Sequence, residues 1–123
     1  MLDLNRFKLV NDTYGHLAGD DLLKQFASEL QSNVRPGDLA GRIGGDEFMV
    51  LLASDAEGAR SCIQRMQKWV FGKYTILGSG KEALNIEVDA SIGLAEWHRG
   101  ETMEEVIEQA DAAMYRDKKE SRK

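Results

Sequence analysis

Leu39-Ala40-Gly41-Arg42-Ile43-Gly44-Gly45-Asp46-Glu47-Phe48-Met49-Val50-Leu51-Leu52 is the stretch on which the architecture turns. Two apolar, strand-like runs flank a Gly-Gly pair, which reads as a β-hairpin with a Gly-Gly turn. Asp46 and Glu47 then stand at its tip. Glycine at such a turn supplies positive φ and lets phosphates approach the backbone. Paired carboxylates at the same place suit a hard cation such as Mg²⁺. The stretch therefore suggests a metal–nucleotide site.

Working outward, helical spacing follows and precedes the hairpin. Leu22, Leu23, Phe26, Ala27 and Leu30 line one face of a helix predicted to start at Asp20 or Asp21 and end near Asn33. The turn Arg35-Pro36-Gly37-Asp38 separates it from the hairpin. Ser54-Asp55-Ala56-Glu57 is a capping-box pattern for a second helix, with Ala59, Ile63, Met66 and Val70 as its stripe and Gly72 as its stop. Tyr74 to Leu77 reads as a short strand and Gly78-Ser79-Gly80-Lys81 as a turn. Strict alternation of apolar and polar residues over 84–94 predicts one long strand with a single buried face. Thr102-Met103-Glu104-Glu105 is another capping box, and Met103, Val106, Ala110 and Met114 carry a final helix to about Lys118. This order predicts an α/β (α+β) sandwich with a mixed, mainly antiparallel sheet flanked by helices.

Bulk composition narrows the function. The chain has 123 residues, enough for one core, with 42% hydrophobic and 30% charged residues. A net charge of −5 argues against a nucleic-acid binder, which shows a basic face, but is compatible with a metal-neutralised nucleotide. The single cysteine, Cys62, excludes an internal disulfide and fits a reducing compartment, and its place on a helix makes it a packing residue. No apolar run is long enough to cross a bilayer and no signal peptide is visible, so a cytoplasmic location is expected, with a membrane anchor left open for a parent protein.

The second polar constellation is Asp3-Leu4-Asn5-Arg6-Phe7-Lys8, followed by Asn11-Asp12, Gly15-His16 and Gly19-Asp20. An acid where a first strand ends can face the hairpin acids across neighbouring strands, so Asp3 and Asp46 can hold one Mg²⁺ while phosphate oxygens complete its shell. An EF-hand loop fails on the residues: Phe7 stands at the third ligand position and Lys8 at the required glycine. Taken alone, the segment reads equally as a polar loop with helix caps.

The run from Asp3 to His16, Gly19-Asp20, Arg42-Ile43-Gly44-Gly45-Asp46-Glu47-Phe48 and Ala110-Asp111-Ala112-Ala113-Met114-Tyr115 resembles the GGDEF family of diguanylate cyclases. The resemblance runs from the first residues to the last. It implies a fold similar to the ferredoxin-like palm of nucleotidyl cyclases and polymerases. It implies condensation of two GTP into cyclic di-GMP with release of two pyrophosphates. By matching position it implies Asp3 and Asp46 as Mg²⁺ (or Mn²⁺) carboxylates, with the Leu4 carbonyl assisting. Glu47 would stand at the metal or near the attacking 3′-hydroxyl. The Phe7-Lys8 backbone and Gly44-Gly45 would cradle phosphates, Asn11 and Asp20 would read guanine, and Lys118 and Arg122 would hold the triphosphate. Arg35 and Asp38, six positions before Gly44, resemble the family's inhibitory product site, with Arg65 as a further contact.

The resemblance also implies a homodimer, because two substrates must face each other, and an upstream sensor or receiver domain. His16 is expected in a structural turn, His98 in a surface loop, and Trp69 and Trp97 as packing or rim residues. The pattern departs at the start, where family members carry a further helix and most of a strand before Asp3. The domain is therefore expected to span 1–123 without those elements. It departs again at Asp117 and Ser121, where the family has alanine and glycine; an acid beside Lys118 is expected to weaken triphosphate binding slightly. The competing reading is an inactive module that binds GTP or cyclic di-GMP, and a third is a ligand-free scaffold domain.

Overall fold

The computed structural model describes every residue except Ser79, Lys81, Arg122 and Lys123. Strand β1 (Leu2–Leu4) leads into helices α1 (Phe7–Tyr14) and α2 (His16–Ser32). The hairpin β2 (Leu39–Gly44) and β3 (Glu47–Leu51) follows, then α3 (Ala56–Trp69), β4 (Gly72–Leu77), β5 (Ala83–Val88), β6 (Ala90–Ile92) and α4 (Met103–Ser121). The strands form a four-stranded sheet in the order β2-β3-β1-β6 and a two-stranded ribbon, β4-β5. Every pairing is antiparallel. The α+β architecture expected from the pattern is present, and the three-residue β1 sits at its centre.

Alternation along the strands assigns the two faces. Leu2, Leu4, Phe48 and Ala90 pack with Leu22, Phe26 and Leu30 of α2 and with Cys62 and Met66 of α3. Met1 and Met49, on the opposite face, meet Ala110 and Met114 of α4. Phe26 anchors the larger core, fully buried. Its ring lies 5.0 Å from Phe48, 6.1 Å from Tyr74 and 6.4 Å from Phe71. Removing such a ring from a core costs about 3–5 kcal/mol. The Tyr74 hydroxyl donates to the Val70 carbonyl at 2.6 Å, and burial pushes the phenol up to about 12.

Several elements differ from the sequence pattern. The segment expected to be a polar loop contains α1, and α2 starts at His16 rather than Asp20 or Asp21. Tertiary packing supports α1: Val10 is buried, and Asn11 lies where a side chain on Gly19 would stand. His16 opens α2 instead of occupying a turn. The expected long strand breaks at Asp89, so β5 pairs with β4 while β6 pairs with β1. Asp55, not Ser54, caps α3, its carboxylate accepting from the Gly58 N–H at 2.8 Å. Thr102 caps α4 as expected, accepting from the Glu105 N–H at 3.1 Å.

Gly93 fixes how closely α4 approaches the sheet. A Cβ there would collide with the Ala110 carbonyl and the Met114 backbone nitrogen. Asp117 ties the far end of α4 down by accepting from the Ile92 N–H at 2.9 Å.

Candidate active site

The hairpin turn consists of Gly45 and Asp46, because Gly44 still pairs with Glu47. It is shifted by one residue from the expected Gly-Gly turn. Gly45 has φ 51, a left-handed conformation that glycine adopts without strain. Asp46 is thus a turn residue rather than a strand residue. The Arg42 Nε donates to the Gly45 carbonyl at 2.7 Å and braces the turn. The Leu4 N–H donates to the Asp46 carbonyl at 3.1 Å, drawing the turn onto β1.

Those bonds bring Asp46 beside Asp3. Asp3 is paired in register with Glu47 on one side and Ser91 on the other. It is buried, its Oδ2 accepts from Lys118 Nζ at 2.7 Å, and its Oδ1 is buried with no hydrogen-bond partner among the described residues. Burial pushes the Asp46 carboxyl up to about 6, helped by the hydrogen bond and negative charge of Asp3; a backbone hydrogen bond and Lys118 oppose the rise. Two carboxylates that compete for a proton are the arrangement a divalent cation relieves.

The residues present fit such an ion. Two carboxylates and the Leu4 carbonyl are hard oxygen ligands, and the Asp3 Oδ1 accepts no hydrogen bond from the described residues. Among the described residues no group of three or more acids, histidines or cysteines gathers to hold a metal. A two-carboxylate site suits Mg²⁺, which keeps positions for water and phosphate.

The β1–α1 turn supplies the other half of the site. Arg6 has φ 60 and ψ 24, a left-handed geometry uncommon for a residue with a side chain. It starts α1 with no side-chain cap, so the first N–H groups, including those of Phe7 and Lys8, form an anion-attracting helix end. A cleft of about 380 Å³ opens beside this turn, lined by Leu4, Asn5, Arg6, Phe7 and Glu87 among others. A second cleft of about 420 Å³, lined by Gln25, Trp69, Phe71 and Lys73, holds none of the candidate residues.

The structure brings some expected partners together and not others. Asn11 packs against Gly19, next to the exposed Asp20, across the contact of α1 with α2. Lys118 reaches Asp3. Arg122 lies outside the described residues. Arg35, Asp38 and Arg65 share one neighbourhood around Cys62, whose thiol burial pushes up while the three charges act on it. Asp38 already accepts from the Ala53 N–H at 2.9 Å and the Arg35 N–H at 3.2 Å. Arg65 donates twice to the Asn33 carbonyl, at 3.0 and 3.2 Å. The Arg35 side chain is exposed, as are Trp69, Trp97 and His98.

Sequence reasoning gave no role to Arg42, Asn5, Asp89 or Ser91, although all four shape the site. Arg42 could have been noticed as the one cation just ahead of the glycine hairpin, whereas Asp89 and Ser91 fall on the polar positions of an unbroken alternation and carry no such signal.

An antiparallel sheet backed by helices, with an acid pair at a glycine hairpin beside an open helix end, defines a palm domain of the nucleotidyl-cyclase type. The family model described as "Diguanylate cyclase, GGDEF domain" matches residues 1–123, and the chain belongs to that family. It is 39% identical over 124 residues to Diguanylate cyclase A of Treponema denticola, covering 99% of this chain and 32% of that protein. The crystal structure of diguanylate cyclase SiaD of Pseudomonas aeruginosa in complex with its activator SiaC matches with a TM-score of 0.84 at 38% identity, over 97% of this chain and 45% of SiaD. The GGDEF domain of DgcB from Caulobacter crescentus in complex with c-di-GMP matches with a TM-score of 0.82 at 30% identity, over 96% of this chain and 69% of that one. The chain thus spans about a third of the curated relative and less than half of SiaD.

Proposed function

We propose that this chain is the GGDEF domain, 1–123, of a longer diguanylate cyclase that condenses two GTP into cyclic di-GMP and two pyrophosphates. The observation that carries the reading is the acid pair: a buried Asp3 oxygen with no partner among the described residues, beside an Asp46 carboxyl pushed up to about 6. Asp3, Asp46 and the Leu4 carbonyl would hold Mg²⁺, with Mn²⁺ as a substitute. When bound, the cation neutralises phosphate charge and lowers the pKa of the attacking 3′-hydroxyl. Glu47, in register with Asp3, stands at the same face for that hydroxyl.

The remaining roles belong to binding. The Phe7-Lys8 N–H groups and the Gly44-Gly45 backbone N–H groups donate to the phosphate oxygens. Asn11 and Asp20 read the guanine edge, a carboxylate accepting from N1–H and N2–H and an amide donating to O6. Lys118 of the last helix and Arg122 would hold the triphosphate. One domain holds one GTP, so the bond forms only when two domains face each other, and regulation acts on that encounter. An upstream sensor or receiver domain in the parent protein would supply the control, with the reaction in the cytoplasm. Arg35, with Asp38 and Arg65, would bind the product and inhibit; arginine matches phosphate bidentately and stacks on guanine.

Incubation with GTP and Mg²⁺, followed by chromatographic separation of nucleotides, tests the reading. Cyclic di-GMP formation is the expected result. GTP binding without turnover, in this chain and in the parent protein, would instead make it a binding module.

A further inference from the structure

Asn5 lies two residues after Asp3 and carries an amide oxygen that could serve as a ligand. The structure engages it elsewhere. Its Nδ2 donates to Asp89 Oδ1 at 3.0 Å, and its backbone N–H donates to the Asp89 carbonyl at 3.0 Å. Its Oδ1 accepts from Ser91 Oγ at 2.8 Å. Ser91 is 1% exposed and faces Asp3 in register. Three hydrogen bonds therefore fasten the β1–α1 turn to the break between β5 and β6.

We propose that Asn5 is a positioning residue for the nucleotide site. Held by Asp89 and Ser91, it fixes the direction in which the Leu4 carbonyl and the first N–H groups of α1 point. The next residue, Arg6, is left-handed, and an unbraced chain would leave that conformation readily because it costs energy for a residue with a Cβ. The Ser91 hydroxyl has a single proton, and donating it to Asn5 withholds it from Asp3, its cross-strand neighbour. The Asp3 Oδ1 is then left open for a cation. The amide, rather than an acid, is required here because its partner is the Asp89 carboxylate.

This inference rests on the cyclase reading, and the test separates the two. Mn²⁺ binding is followed by electron paramagnetic resonance in the presence of a non-hydrolysable GTP analogue. If Asn5 were a ligand, Asn5→Asp would add a carboxylate and tighten Mn²⁺ binding. As a positioning residue it sets two carboxylates against each other, and binding weakens by about tenfold or more, the range for residues that orient metal ligands. Asp89→Asn in the same chain lets the amide and acid exchange places, and the double variant recovers most of the wild-type affinity. Ser91→Ala, which removes one bond and adds no charge, weakens binding in the same direction with thermal stability as a control for folding. Wild-type binding with an unchanged or tighter Asn5→Asp, or a double variant that fails to recover, overturns the positioning role alone. Absence of Mn²⁺–analogue binding in the wild type overturns the cyclase reading and this inference with it.

Discussion

The acid pair at the hairpin and the turn at Arg35–Asp38 are both charged clusters on short connections, yet they are built oppositely. Asp38 has each oxygen met by a backbone N–H, from Ala53 and from Arg35. Among the described residues Asp3 has one oxygen on Lys118 and no hydrogen-bond partner for the other, and burial with the neighbouring Asp3 pushes the Asp46 carboxyl up to about 6. A carboxylate satisfied by its own chain is part of the scaffold; a buried one left short of partners is costly unless something else arrives. The difference indicates that the hairpin site is organised around a ligand's charge. At the Arg35–Asp38 turn, the acid is structural first and the exposed arginine is the group free to reach outward.

The comparison breaks most decisively at Asp46. Asp46→Ala should lower cyclic di-GMP formation by about 1000-fold or more, since a lost metal contact removes several kcal/mol of transition-state stabilisation. The melting temperature without metal should not fall. An active variant would remove Asp46 from the metal site.

Lys118 is the next point of attack. Lys118→Met leaves the buried Asp3 without its 2.7 Å partner and should destabilise the metal-free protein by about 1.5–3 kcal/mol, the scale of a charged hydrogen bond. Thermal melts in chelator check this, and an unchanged melt would make the pair energetically idle. Gly93→Ala acts on the same contact from a distance. Its Cβ would strike the Ala110 carbonyl and the Met114 nitrogen, so α4 must shift, at about 1–3 kcal/mol by the usual cost of overpacking. Weaker GTP binding should accompany the loss, because Lys118 rides on α4.

Two smaller effects sharpen the contrast. A carboxyl whose folded pKa is raised binds more protons in the native state, so the stability of the metal-free protein should fall as pH rises from about 4 to about 6. Above that window the penalty is complete. Asp46→Asn should flatten this part of the pH profile, and Mg²⁺ should flatten it too by taking the proton's place. Arg35→Ala should change stability by less than about 0.5 kcal/mol, as exposed substitutions do, while weakening cyclic di-GMP binding in calorimetry. Unchanged affinity would refute the product-site assignment.

Most of the architecture was legible where the apolar period was long. The α2 stripe from Leu22 to Leu30, the α4 stripe and the hairpin all appear where the spacing placed them. What escaped was governed by tertiary contact. Helix α1 is eight residues long, enters through a left-handed arginine and owes its place to Val10 in the core and to the space left by Gly19. The 84–94 alternation is genuine, but period two cannot say that the partner changes at Asp89. At the site, Asp3 and Asp46 could be paired from motif and hairpin logic. The reach of Lys118 to Asp3 spans 115 residues and depends on how Gly93 lets α4 settle. Asp117, expected to weaken triphosphate binding slightly, also accepts from the Ile92 N–H and helps seat that helix, a contact the sequence did not announce.

Calorimetric titration of Mg²⁺ into the protein, with a non-hydrolysable GTP analogue bound, tests the acid pair most directly. Saturable binding to the wild type that vanishes in Asp46→Ala is the predicted result. Equal binding to both proteins would contradict the account, because the cation would then be held without Asp46 and the acid pair would not be its site.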